Sequence, residues 1–427
     1  MEKMFKLKAH GTTVRTEVIA GITTFLAMAY ILAVNPGMLS QTGMPIKGVF
    51  TATALSAGIA TLVMAFLANL PVALAPGMGL NAFFTFTVVM GMGYSWQLAL
   101  TAVFIEGVVF IVLSFFNVRE KIIDAIPNGL KKAISVGIGL FIALIGLTNA
   151  GIVSSQTGTI IGFADLNGAP LVAVIGLAVT CILYCCKVPG SILLGIIITT
   201  VIGVPFGVTK IPQNFSPVSL PASPIFCKFE FSQILTVKFF TVFFTFFFVD
   251  VFDTIGTLVG VTTEAGLAKN GKIPHVKEAL LSDAIGTVAG AMLGTSTVTS
   301  FVESTSGVAA GGRTGLTSAV TGILFFLALF LSPLFLLVPS AATAPALIIV
   351  GFFMLRCVVD INFADPTEGI PAFICIITMP FAYSVAEGIV WGLVSYVILK
   401  VVTGKAKSVT IVGWILFFIF ILRWVLK

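Results

Sequence analysis

The sequence predicts an all-α polytopic membrane protein of about fourteen spans arranged as two inverted seven-span repeats, and three observations predict it. Of 427 residues, 58% are hydrophobic and only 9% charged, whereas a soluble domain carries roughly 25% charged residues. Lipid accepts such a surface and water does not. Apolar stretches of about 17–25 residues, each long enough to cross a hydrocarbon core of about 30 Å, recur from end to end. The chain also resembles itself at a fixed shift.

The first seven spans read as 18–35, 50–69, 79–93, 97–116, 130–148, 168–186 and 190–207. A second seven follow at 239–262, 279–294, 302–312, 315–333, 341–358, 370–383 and 386–402. The expected organisation is a first repeat over 1–207, an extracytoplasmic linker over 208–238 and a second repeat over 239–402. Residues 403–427 hold a cytoplasmic loop and an extra apolar segment at 409–425, either a fifteenth span or a surface helix. The opening residues MEKMFKLK lack the apolar core and cleavage site of a signal peptide, so the first span is expected to direct insertion.

With the N-terminus in the cytoplasm of a cell-membrane protein, cytoplasmic segments hold seventeen Lys and Arg residues. The opposite side holds four: Lys47, Lys210, Lys228 and Lys238. Arg423 and Lys427 stay unassigned. Such a bias is the positive-inside signature, and one missed span would scramble it. The net charge of +6 is therefore topological and implies no nucleic-acid partner. The six cysteines show no metal-ligand spacing and read as small apolar residues, so neither a metal nor a cofactor is expected.

Residues 55–72, LSAGIATLVMAFLANLPV, match 281–298, LSDAIGTVAGAMLGTSTV, at a shift of 226 that also sets Thr24 against Asp250. Later, YCCKVPGSILLGIIITTV at 184–201 resembles FAYSVAEGIVWGLVSYVI at 381–398. Seven spans per unit is an odd number, so the second unit enters from the opposite side. Inverted repeats characterise secondary transporters, with substrate held near the midplane where the halves meet.

Two stretches at matching places make poor helix, in spans 3 and 10. APGMGLNA at 75–82 carries Pro and Gly; STVTSFVESTSG at 296–307 carries a Ser/Thr run. Backbone that leaves the helix inside a bilayer must be buried in protein or line a cavity. Paired interruptions of this kind point to a transport site.

Acids inside spans are costly and usually functional. The candidates are Glu106, Asp250, Asp253, Asp283, Glu303 and Glu387, with no Lys or Arg deep in any span. Such acids must be protonated, bind a cation or accept hydrogen bonds from a substrate. Asp250 and Asp253 share one helical face, and two carboxyls that close do not both ionise cheaply. Glu303 follows the second broken stretch. Glu106 and Asp283 read equally well as helix-to-helix hydrogen-bonding groups, and Glu368 and Glu387 as span-end residues. Asn81 is placed to hold a base edge or to tie up freed backbone, and Phe301 to stack on a flat ligand.

At these residues the chain resembles the AzgA-like adenine/guanine/hypoxanthine permeases, a branch of the nucleobase–cation symporters related to uracil and xanthine permeases. The runs TEVIAGITTFLAMAYILAVNP at 16–36, NLPVALAPGMGLNAFFTF at 69–86, FFFVDVFDTIGTLVGV at 246–261 and GTSTVTSFVESTSGVAAGGRTGLTSAVTGILFFLALFLSPL at 294–334 carry the resemblance. It implies a core domain of spans 1–4 and 8–11 that holds the base, and a gate domain of spans 5–7 and 12–14. It implies base contacts from Asp250, Glu303 and Asn81, an important acid at Asp253, and backbone around Gly79 and Ser304 lining the same cavity. Asp250, Asp253 and Glu303 are the proton-coupling candidates, and Thr24 joins the site as the repeat partner of Asp250. The implied partners are a purine nucleobase, protons and the lipid bilayer; a homodimer stays open. Asp rather than Asn at position 250 leans toward hypoxanthine and guanine.

Two rival readings are an anion transporter of the same fold class and an intramembrane aspartyl protease. The first would want a cation or paired helix N-termini at the site. The second would need two Asp side chains facing one substrate, and no flanking motif supports it.

Overall fold

The computed structural model describes residues 2–115, 127–156, 159–213, 215–267 and 273–425. The loop positions Arg119, Lys121, Lys269 and Lys272 of the charge count lie outside the described residues, as does Lys427.

All fourteen expected segments contain helix. Among the described residues eight helices are long and apolar enough to cross a bilayer, and four shorter apolar helices accompany them. Span 9, Val276–Leu293, is diluted by Lys277, Glu278 and Asp283. In span 10 the helix is only Ser304–Ala309. Span 1 comes in two pieces, Val14–Met28 and Ile31–Leu39, that meet at Ala29 and Tyr30. Span 3 runs from strand β1, Leu74–Pro76, through the helix Met78–Ala82 into a π-helical stretch, Phe83–Gly91.

Three local features differ from the expectation. Span 7 ends at Ile202, short of residue 207, because Gly203 and the turn before Pro205 do not continue a helix. The connection between spans 5 and 6 is an antiparallel hairpin of β2, Val153–Gln156, and β3, Thr159–Phe163. Lys400, counted with the cytoplasmic charges, is buried. Its Nζ donates to Thr367 Oγ1 at 2.8 Å and Glu368 Oε1 at 3.1 Å, which joins spans 13 and 14. The extra apolar segment forms the helix Ile411–Val425, which sets Leu416 and Phe420 against Leu130 of span 5, Phe248 of span 8 and Leu393 of span 14.

The helices pack in two groups. Span 2 lies between spans 9 and 11, span 9 also packs on span 4, and spans 10 and 11 lie on span 1. Separately, span 5 packs on spans 12 and 13, span 13 on span 14, and span 6 on spans 7 and 12. Small residues permit the closest approaches: an added Cβ at Gly351 of span 12 would sit 2.5 Å from the Gly139 carbonyl oxygen of span 5.

The repeat is visible in the element ends. A shift of 226 carries Leu67, the last residue of span 2, onto Leu293, the last of span 9. It carries Met78, the first helical residue of span 3, onto Ser304, the first of span 10.

Candidate functional site at the crossing of the two half-helices

The strands that replace helix in spans 3 and 10 pair with each other. β1 runs antiparallel to β4, Val298–Ser300, with Leu74 opposite Ser300, Ala75 opposite Thr299 and Pro76 opposite Val298. The ladder extends at both ends, by Gly77 N–H to the Thr297 oxygen and Phe301 N–H to the Ala73 oxygen, each at 3.0 Å. Backbone groups that no helix satisfies are thus satisfied across the halves, as a dry interior demands. Thr61 donates to the Leu74 oxygen at 3.0 Å and accepts from its N–H at 2.9 Å. Its repeat partner Thr287 donates to the Val298 oxygen at 3.0 Å. The matching threonines of the two sequence blocks therefore do the same work, each from its own half.

Glu303 sits in the turn between β4 and the half-helix Ser304–Ala309 and is 8% exposed. Its Oε1 accepts a hydrogen bond from the Tyr30 hydroxyl at 2.7 Å, and Tyr30 is fully buried at the break in span 1. Glu303 also lines a cavity of about 620 Å³ between the two helix groups. Thr23 and Ser306 lie on its side, with Tyr184, Lys187 and Phe353 opposite. The Tyr184 and Phe353 rings are in contact, with centroids 5.2 Å apart.

The other acids lie around the strand pair. Asp253 accepts from Thr299 Oγ1 of β4 at 3.3 Å. Asp250 is fully buried; the Thr254 hydroxyl sits 3.3 Å from it and 2.7 Å from Asp283 of span 9. One hydroxyl proton serves one acceptor at a time, and the shorter distance favours Asp283. Glu106 of span 4 accepts from Thr297 at 2.9 Å. Glu387 lies in the first turn of span 14, the span-end position expected of it.

The remaining expected residues divide. Asn81 is fully buried; its Oδ1 accepts from the Ser296 hydroxyl and its Nδ2 lies 3.4 Å from the Pro76 oxygen. The first contact joins span 3 to span 10, and the second reaches a backbone carbonyl within span 3. Ser304 Oγ accepts from the Ala73 N–H at 3.0 Å, and Phe301 is core. Gly79 faces span 5, where an added Cβ would lie 2.6 Å from Ile138 Cγ2. Thr24 is buried against Gly307, and its hydroxyl has no hydrogen-bond partner among the described residues.

Sequence reasoning passed over three polar residues. Tyr30 is one. Asn35 is another: its Nδ2 donates to Thr53 at 2.7 Å and Thr295 at 2.9 Å. Glu17 is the third: it accepts from the Arg313, Thr314 and Thr317 N–H groups and the Thr317 hydroxyl, capping span 11. The acid in TEVIAG, so near the first apolar residues, was the available signal for Glu17. Among the described residues no cluster of three or more His, Cys, Asp or Glu could hold a metal ion. A larger depression of about 830 Å³, lined by His10, His275 and Arg313, contains none of the expected site residues.

A model described as a permease family matches residues 15–390. The adenine permease AdeQ of Escherichia coli K12 is 45% identical over 416 residues, 96% of this chain and 93% of that one. The guanine/hypoxanthine permease PbuG of Bacillus subtilis 168 is 45% identical over 437 residues, 100% and 99% of the two chains. Among solved structures, the transmembrane domain of the cyanobacterial bicarbonate transporter BicA has a TM-score of 0.67 at 15% identity, covering 88% of this chain and 97% of that one. That likeness is one of fold. The family match and the full-length identities give one result: this multi-pass membrane protein belongs to the permease family, in the branch that includes these adenine and guanine/hypoxanthine permeases.

Proposed function

We propose that the chain is a purine nucleobase:proton symporter that works by alternating access, with hypoxanthine and guanine as its preferred substrates. The observation that carries this reading is Glu303, a carboxylate on the wall of a cavity between two separately packed helix groups. Purines are flat, neutral and rich in N–H donors. A carboxylate accepts such donors, and a site built to hydrogen-bond polar edges rejects analogues that lack them. The permease relatives AdeQ and PbuG support the substrate class. Asp250, Glu303 and Asn81 are the groups for the base, with Gly79 and Ser304 beside them, and Asp250, Asp253 and Glu303 are the groups for the proton; Asn81 and Ser304 also join the two broken spans, and Gly79 lets span 5 approach the first of them.

Alternating access follows as a rocking of spans 1–4 and 8–11 against spans 5–7 and 12–14. The N-terminus is placed in the cytoplasm by the Lys and Arg count, so the cavity beside Lys187 opens inward. A cysteine placed in 159–163 should then react with an impermeant thiol reagent added outside, and one in 273–275 should not, both in a background without native cysteines.

The test is uptake of labelled hypoxanthine, guanine, adenine, xanthine and uracil in a strain lacking its own carriers. Hypoxanthine and guanine should accumulate, and a protonophore should abolish accumulation at constant sodium. Uptake that survives the protonophore and tracks external sodium would reject proton coupling; absence of purine uptake would reject the substrate class.

A further inference from the structure

We infer that Tyr30 is the positioning residue for Glu303, holding its carboxyl group in one place in both the charged and the neutral form. The inference rests on the proposed function above, because it assumes that Glu303 takes up and releases a proton during transport.

The geometry is a single buried contact. Tyr30 Oη lies 2.7 Å from Glu303 Oε1, and the two residues are 273 apart in sequence. Tyr30 is fully buried, and it sits where the two helical pieces of span 1 meet. Its backbone carbonyl accepts from the N–H groups of Ala33 and Val34, both at 3.0 Å, so the break itself is anchored. Glu303 precedes the half-helix Ser304–Ala309, which packs on span 1. Both members of the pair therefore ride on one helix group. A movement of that group against the other changes what lies across the cavity and leaves the pair intact.

The residue type matters. A Lys or Arg beside Glu303 would fix the carboxylate charged and take it out of proton exchange. A phenol has one O–H and lone pairs on the same atom. It donates to the carboxylate. When a proton from water binds a Glu303 oxygen, the phenol O–H can rotate away and its oxygen can accept from the new carboxyl O–H. Tyr30 keeps its own proton throughout; the O–H formed on Glu303 is matched by the O–H broken in the hydronium that delivers the proton. The remaining titratable groups facing the pair are Asp253 on span 8, itself influenced by Asp283 on span 9, and Tyr184, Cys185 and Lys187 across the cavity.

The experiment uses the full chain and labelled hypoxanthine, with uptake followed from pH 5 to 8 alongside membrane abundance and thermal melting. Tyr30→Phe keeps the ring and removes the O–H. KM should rise about tenfold, the size expected for one lost hydrogen bond to a charged group. The phenol's bond to the charged form is the stronger of the two, so its loss should move the uptake profile to higher pH. Fluorinated tyrosine incorporated at position 30 keeps ring and hydroxyl and makes the phenol a stronger donor. It should move the profile the other way. A structural role alone would give lower abundance or melting without opposite displacements. The inference is overturned if KM and both profiles stay where the unmodified chain has them, or if Tyr30→Phe fails to assemble and the fluorinated residue displaces nothing. An unmodified chain that accumulates no purine takes down the proposed function, and the inference with it.

Discussion

Asp250 and Glu303 face the same physical problem from different places. Each carboxyl lies in a largely dry interior; the Tyr30 hydroxyl donates to Glu303, while the Thr254 hydroxyl lies 3.3 Å from Asp250 and closer to Asp283. A base that binds there must bring its own N–H donors, and truncating either acid strands those donors. A lost buried hydrogen bond costs about 1–3 kcal/mol, roughly tenfold to over a hundredfold in affinity. Asp250→Ala and Glu303→Ala should therefore lose measurable hypoxanthine uptake at normal membrane abundance. Asp250→Asn should damage adenine uptake less than guanine uptake, since an amide can donate to adenine ring nitrogens and accepts less strongly from guanine. Glu387→Gln, at a span end, should keep most activity. Unchanged affinity and rate in both alanine variants would sink the site assignment. The acids were legible in the sequence because an ionisable group in a span is expensive and so stands out. Their partners were not. Tyr30 and Asn35 look like ordinary residues of an apolar stretch, and their roles depend on Glu303 and Thr295, which only folding brings near.

At the scale of the element, the bilayer makes most of the fold readable. A span must be apolar for about twenty residues, so spans 1, 2, 4, 5, 8, 11, 12 and 14 emerge from composition alone. What the bilayer does not dictate is harder to see. The hairpin at 153–163, the early end of span 7 and the π-helical turn of span 3 depend on local backbone satisfaction, which leaves little compositional trace. Helix ends follow the same rule. Glu17 gathers three N–H groups and a hydroxyl at the start of span 11 from a helix almost three hundred residues earlier. Its negative charge also suits the positive end of that helix. Removing it leaves several buried donors unpaired, so Glu17→Ala should cost roughly 3 kcal/mol or more. The readout is the thermal midpoint of the purified chain in detergent. Glu17→Gln should recover part of the loss, and an unshifted midpoint in Glu17→Ala would show that other groups cap span 11. Asp365 caps span 13 in the same way: hydrogen bonds from the Thr367 hydroxyl and N–H pull its carboxyl down to about 2. The depressed value means that the cap's contribution is present above the ordinary Asp value near 3.9. It fades only as pH falls toward 2, so the cap is constant over the uptake range.

For the whole molecule, the question is whether the two helix groups move. They approach each other where the turn between spans 6 and 7 meets span 1, and an added Cβ at Gly190 would lie 3.3 Å from Leu26 Cβ. Disulfide Cβ separations run about 3.5–4.5 Å, so a cysteine pair at positions 26 and 190 is within reach despite the φ of +68° at Gly190. In a chain without native cysteines, oxidising that pair should stop uptake, and reduction should restore it. Full uptake with the bridge formed would mean that these groups do not separate there during transport.

The pairing of β1 with β4 has a consequence for how the protein is made. Pro76 leaves the ribosome long before Val298, its partner in the ladder. At about 5–20 residues per second, the first broken span waits for on the order of ten seconds or more with its strand edge open inside the membrane. During that interval the nascent chain carries unpaired N–H and C=O groups that lipid cannot satisfy. Thr61, already present in span 2, bonds both the N–H and the oxygen of Leu74 and needs nothing from the second half to do so. Those two groups turn away from β4, so Thr61 satisfies that side of the strand early, while the Ala73 oxygen and the Gly77 N–H still wait for the second half. Biogenesis, as much as transport, gives a reason for a threonine at that position. A nascent chain stalled before residue 298 would be the species most exposed to membrane quality control.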